Sequence, residues 1–287
     1  MNITIDGNLI DYTLEKEKNG YDIIEAIGSW LGKSYIIIKS IKIDEKEYNY
    51  DDKVPLGGLS IDSIDKIDIF TLTLREYKYN QLLGIQKYFE NLISLINSNN
   101  KEEIFNSLKK YEKIKPDMEE VLDKVYNSGN QGFIETVTSK KELTDIDYGT
   151  LKFFAENILF IIEERKREII NPETEIAKEK KYFETLLPEI EIISVLLQTG
   201  KESEALEKII KFVDFAKKLA RLLSYYNMGL GKIELDEITK YNKLLNDLGD
   251  ALARADSVLI GDILEYELSP VVEHFFNIML SEKQQEK

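Results

Sequence analysis

The apolar residues of this chain change period once. Up to about residue 74 they alternate, and from about Glu76 onward they recur every three or four residues. Side chains alternate across a strand and repeat about every 3.6 residues around a helix. The change therefore predicts an α+β protein, with a strand-rich start of residues 1–75 and a mostly antiparallel helical bundle over 76–287.

In the first tract Ile3 and Ile5 share a face, and Asp6-Gly7-Asn8 is a hairpin signal. Ile10, Tyr12 and Leu14 then alternate against Asp11, Thr13 and Glu15, which predicts a second strand. Asn19-Gly20 interrupts the pattern, and Ile24, Ile27 and Leu31 follow at helical spacing, with Gly32 expected just past the helix end. Tyr35–Ile43 is a β-branched run, a short strand is expected near Glu47–Tyr50, and Ile64–Leu74 closes the tract.

This order of hairpin, helix, strand, short strand and final strand resembles the β-grasp fold of ubiquitin-like domains. The resemblance rests on element order and spacing. In sulfur carriers and ubiquitin the working part is a free C-terminal Gly-Gly. Here the last strand runs on into Arg75-Glu76-Tyr77, and Gly57-Gly58 is internal and reads as a turn, so that chemistry is excluded.

The helical tract repeats itself at a spacing of 101 residues. Leu95, Ile96, Ile104, Phe105, Leu108 and Tyr111 align without a gap with Leu196, Leu197, Ala205, Leu206, Ile209 and Phe212. The match is compatible with two tandem units, 76–172 and 178–280, or with the shared period of any two amphipathic hairpins. Thr199 and Glu202 have capping-box spacing. Pro116 and Pro270 predict kinks or new starts, Asn171-Pro172 a break, and Asn227–Lys232 a loop. Residues 127–146 read as a long polar loop holding one apolar pair, Phe133 and Ile134, which either anchors the loop or faces a partner.

Composition narrows the chemistry. With Lys+Arg 38 against Asp+Glu 53 the net charge is −15, a surface that repels phosphate backbones, so no nucleic-acid partner is expected. The run Glu163-Glu164-Arg165-Lys166-Arg167-Glu168 reads as a solvated helix face. Without cysteine there are no disulfides and no thiolate chemistry. No secretion signal and no membrane span is read, so the expected location is cytoplasmic. His274 is the single histidine and has no nucleophile motif around it. Asp262 and Glu265 share a helix face, which suits a metal or an acid–base pair but equally a helix start. No catalytic, cofactor or metal residue is assigned. Tyr225-Tyr226 and Phe275-Phe276 are adjacent pairs, so one ring of each is expected to leave the core stripe and could meet a partner.

The segments Leu187-Pro188-Glu189-Ile190-Glu191, Leu196–Lys201 and Leu264–Pro270 look like those of a family of uncharacterised bacterial proteins found in Firmicutes and spirochaetes, which brings no activity with it. The whole reads as a non-enzymatic, protein-binding adaptor. Alternatives are a cytoplasmic chaperone for a helical exported client of flagellar or secretion type, and a carboxylate- or metal-dependent enzyme.

Overall fold

A computed structural model describes residues 1–122, 136–137, 140, 143–230 and 233–280. Phe133 and Ile134 lie outside the described residues. The chain divides into two compact units, 1–162 and 163–287, with the division inside one helix. The expected boundary near Glu76 is therefore a change from sheet to helix within the first unit.

Five strands open the chain: β1 (Asn2–Ile5), β2 (Asn8–Leu9), β3 (Ile36–Ile43), β4 (Lys46–Tyr48) and β5 (Lys66–Thr73). They lie in the order β2-β1-β5-β3-β4, with β1 parallel to β5 and every other pairing antiparallel. Helix α1 (Gly20–Gly32) and the short α2 (Lys53–Gly57) interrupt them, which is the element order behind the β-grasp resemblance. Asp6 and Gly7 both adopt positive φ, 50° and 82°, as a two-residue hairpin requires. The Asp6 carboxylate accepts from the Thr71 N–H and hydroxyl at 2.9 and 2.6 Å, which ties the turn to β5.

Asn19 caps α1 by accepting from the Asp22 N–H at 3.1 Å. Gly32 lies inside the helix without positive φ, contrary to the expected C′ glycine, and the left-handed residue is Tyr35 at 55°. The sheet and α1 enclose their own core, including Ile3, Ile23, Ile27, Ile41, Ile67 and Ile69.

Helix α3 (Leu74–Asn97) starts at a full capping box, Thr73 with Glu76, which stops the sheet and starts the helix in one step. Helix α4 (Lys101–Val121) runs through Pro116. The buried Gln81 amide of α3 donates to Asp117 and Glu120 of α4 at 3.1 and 2.9 Å. Helix α5 (Asp145–Ile170) follows, and Phe154 meets Phe89 of α3 edge-on at 5.8 Å.

The second unit holds the C-terminal end of α5 and the helices α6 (Pro172–Glu191), α7 (Ile193–Gln198), α8 (Glu202–Leu230), α9 (Leu235–Ala253), α10 (Ser257–Asp262) and α11 (Ser269–Leu280). The expected loop does not begin at Asn227, because α8 continues to Leu230. Asn227 is a buried clasp: its amide donates to the Ile233 carbonyl at 2.9 Å and accepts the Ile233 N–H at 3.0 Å. The expected Thr199–Glu202 capping box does not form. Instead the Thr199 hydroxyl donates backwards to the Val195 carbonyl at 2.8 Å.

Between α10 and α11 lies one stretch of π-helix, Ile263–Leu268. Pro270 has no N–H to give and its ring would collide with a carbonyl one turn back. The wider turn relieves that collision, and the Ser269 hydroxyl adds a bond to the Leu264 carbonyl at 2.7 Å.

The two tracts of the 101-residue match contain the same backbone motif, where one helix ends and the next begins. Asn100 N–H reaches Leu95 O and Asn99 N–H reaches Ile96 O; Lys201 N–H reaches Leu196 O and Gly200 N–H reaches Leu197 O. Asn99 and Gly200 supply the positive φ, as a Schellman motif demands. Ala255 closes α9 in the same way, outside the match, so this turn alone is no mark of duplication.

Candidate functional sites

In the first unit, the residues after β2 keep the strand alternation but not the strand. Ile10 N–H still donates to Ile3 O at 3.0 Å, and the ladder then ends. Glu17 holds the far end. One carboxylate oxygen accepts from the Tyr12 hydroxyl at 2.7 Å, and the other accepts from the N–H groups of Glu15 and Lys16 at 2.7 and 3.0 Å. These donors, Tyr12 foremost, bring the Glu17 carboxyl down to about 2. Partial burial, then the hydrogen bond to Glu17 and its charge, push the Tyr12 phenol up to about 12.

Between this segment and α1 opens a cleft of about 320 Å³, lined by Ile10, Asp11, Tyr12, Ile27 and Trp30. Trp30 is the only tryptophan of the chain and is 58% exposed. Leu9 and Leu14 on the same segment are also exposed. The strand expected through Leu14 stops at Leu9, so the alternating residues beyond it form a wall of the cleft.

In the second unit a cleft of about 340 Å³ lies between α9 and α11, lined by Glu237, Lys240, Pro270, Val271, His274 and Phe275. His274 Nε2 sits 2.8 Å from Glu237 Oε1, and both side chains are partly exposed. Among the described lining residues there is no serine, threonine or cysteine. Among the described residues, no group of three or more His, Cys, Asp or Glu side chains is placed to hold a metal ion. Asp262 is exposed and Glu265 half-buried on the π turn.

The aromatic pairs correct the expectation about their orientation. Tyr225 and Tyr226 are 5% and 1% exposed, and Phe275 and Phe276 0% and 1%. Tyr241 meets Phe275 edge-on at 5.5 Å, and Phe183 and Phe215 lie 5.9 and 6.4 Å from Phe276. Both residues of each pair are buried because helices approach from two sides.

The charged run at the end of α5 is the second correction. Glu168 is fully buried and Arg165 nearly so. Arg221 of α8 grips Glu168 with two nitrogens, at 3.1 and 3.3 Å, and Arg165 adds a bond at 2.9 Å. Beside them Lys218 bridges Glu164 at 2.9 Å and Glu179 at 3.0 Å. Burial raises the Glu164 carboxyl, but the Lys218 bond together with the charges of Lys218, Arg165 and Arg221 outweighs it and holds the carboxyl below its usual range. Burial lowers Lys218, and its two carboxylates more than reverse that. The signal was present in the sequence: Arg165 and Glu168 continue the buried row Ile158 and Ile162 at steps of three and four. The cluster is a structural clamp between α5, α6 and α8.

Residues 1–73 match the family model described as the TP0873 N-terminal domain, and residues 175–278 match a domain of unknown function, DUF8042. The first match ends at the last residue of β5, and the second lies within the second unit. The C-terminal segments on which the bacterial resemblance rests fall inside the second match. No curated protein and no solved structure matches the chain.

Proposed function

We propose that this protein is a non-enzymatic adaptor that binds another protein through the cleft beside Trp30. The carrying observation is a large, exposed aromatic side chain set at an apolar cleft. Tryptophan is strongly favoured at the centre of protein interfaces, where its area is buried on contact. The net charge of −15 supports a protein partner over a nucleic acid. The sheet order supports a ubiquitin-like β-grasp start. The isoleucine-, lysine- and asparagine-rich composition supports a bacterial origin of Firmicutes or spirochaete type. Among the described residues no helix is long and apolar enough to cross a membrane, which supports a cytoplasmic setting.

A second reading, a chaperone for a helical client, has its own observation. Ile146, Phe153 and Phe160 stand exposed on α5 at intervals of seven residues, the spacing that a helical client would meet.

Photo-crosslinking in the cell of origin tests the adaptor. p-Benzoylphenylalanine in place of Leu14 is expected to give a discrete protein adduct. The same group in place of the exposed Glu102 is expected to give none. No adduct at Leu14, or the same adducts at both positions, would remove the basis for this reading.

A further inference from the structure

We infer that the partner docks as an extended, lysine- or arginine-bearing segment that adds a strand to the open edge of β2. The inference rests on the adaptor reading of the same cleft and names the form of what enters it.

The first ground is hydrogen bonding. Among the described residues β2 is the edge of the sheet and pairs only with β1. Thr4 lies opposite Leu9 and Ile5 opposite Asn8, and Ile10 N–H reaches Ile3 O. This register spends the backbone groups of Asn8 and Ile10 on β1. By alternation it turns those of Leu9 and Asp11 outward. An edge of this kind is a template for another strand.

The second ground is the conflict between sequence and structure. Ile10 to Glu15 carries a strand pattern without a ladder. Such local disagreement concentrates where a protein meets something else. The segment is already anchored, by Ile3 at one end and by the Glu17 carboxylate at the other. An added strand would find much of the ordering cost already met.

The third ground is side-chain chemistry. Leu9 shares a face with Thr4, whose hydroxyl donates to Asp68 on the face away from α1. Ile10 and Tyr12 therefore point toward α1, where Ile27 and Trp30 complete the cleft. Asp11 lies on the other face. Along the segment stand Asp11, Glu15 and Glu17 against Lys16 and Lys18, and residues 1–73 as a whole hold eight lysines and no arginine against fourteen acidic residues, so the net charge there is negative. An incoming strand with branched apolar residues on one face and basic residues on the other satisfies both sides at once.

The test uses the full chain and its own reporter, since the single tryptophan lies in the cleft. Three peptides are titrated while Trp30 emission is followed. The first is acetyl-Lys-Ile-Lys-Val-Lys-Ile-Lys-amide. The second is the same peptide N-methylated at alternate backbone amides, prepared in both registers. The third is its glutamate analogue. The lysine peptide is expected to shift the emission to shorter wavelength and to saturate. The methylated peptide in one register and the glutamate analogue are each expected to bind about tenfold more weakly or worse.

Asp11→Pro removes one outward N–H at an edge position where proline is tolerated, and should weaken the lysine peptide more than Asp11→Asn does. Should Asp11→Pro disturb the fold by circular dichroism, the methylated peptides on the unmodified chain still decide. Equal binding of both methylated peptides would overturn strand addition. Equal binding of the glutamate analogue would overturn the basic partner, and no emission change with any peptide would overturn both. If these fail while the Leu14 crosslink stands, the adaptor reading survives without the strand.

Discussion

The buried carboxylate of Glu168 joins Arg165 and Arg221 in the ion cluster of the second unit. Removing one partner of a buried ion cluster leaves the others uncompensated, at a typical cost of about 3–5 kcal/mol. Glu168→Ala leaves Arg165 and Arg221 facing each other across an emptied site and is expected to lower stability by about 3 kcal/mol in urea unfolding. A loss under about 1 kcal/mol would show that the cluster relaxes to solvent. The neighbouring Lys218 predicts a pH effect. Glu164 is lowered, so its contribution is full above its ordinary 4.5 and fades as pH falls through the folded value. Lys218 is raised, so its contribution is full below its ordinary 10.5 and fades as pH rises through the folded value. The stability gap between the parent and Lys218→Met should be widest near neutrality and narrow toward acid. A gap that stays constant down to pH 2 would rule out this pairing. These roles were hidden because a run of alternating acids and bases reads as solvated. Only the phase of Arg165 and Glu168 within the apolar row distinguishes them from their neighbours, Lys166 and Arg167.

Among the elements, the helices and strands with a strong period were legible, and their joints were not. The hairpin at Asp6-Gly7, the change to helix after Thr73 and the break at Asn171-Pro172 follow from local chemistry that the residues carry themselves. Thr199 was misplaced because a hydroxyl can cap forwards or bond backwards, and tertiary packing chooses between the two. Pro270 predicts a kink or a new start, and the π turn before it has no local signal in the sequence. The passage of α10 over α7 was invisible, since it depends on residues 67 positions apart, Ser194 and Gly261. A β-carbon at Gly261 would come within 2.6 Å of the Ser194 Cβ, so the two helices must separate to admit it. Gly261→Ala is expected to cost about 2 kcal/mol, and adding Ser194→Gly should restore most of the loss. Purely additive losses in that double-mutant cycle would show that the helices do not touch there.

At the scale of the whole molecule, the α+β plan was legible, while the cleft beside Trp30 was not. Its walls come from a segment that reads as a strand and from a helix residue, Trp30, that lies off the apolar stripe of Ile24, Ile27 and Leu31. They meet only because β2 stops at Leu9. The proposed recognition lies at that cleft, and the buried Tyr225, Tyr226, Phe275 and Phe276 belong to the core. The most direct measurement is recovery of partners with the tagged full-length protein at endogenous level, quantified by mass spectrometry. It compares the parent with Trp30→Ala and Phe160→Ala, both exposed and both expected to fold. The account predicts that Trp30→Ala reduces the specific partner by about tenfold or more while Phe160→Ala leaves it unchanged. Undiminished recovery with Trp30→Ala, and loss with Phe160→Ala instead, would contradict the account and move recognition to the exposed stripe of α5.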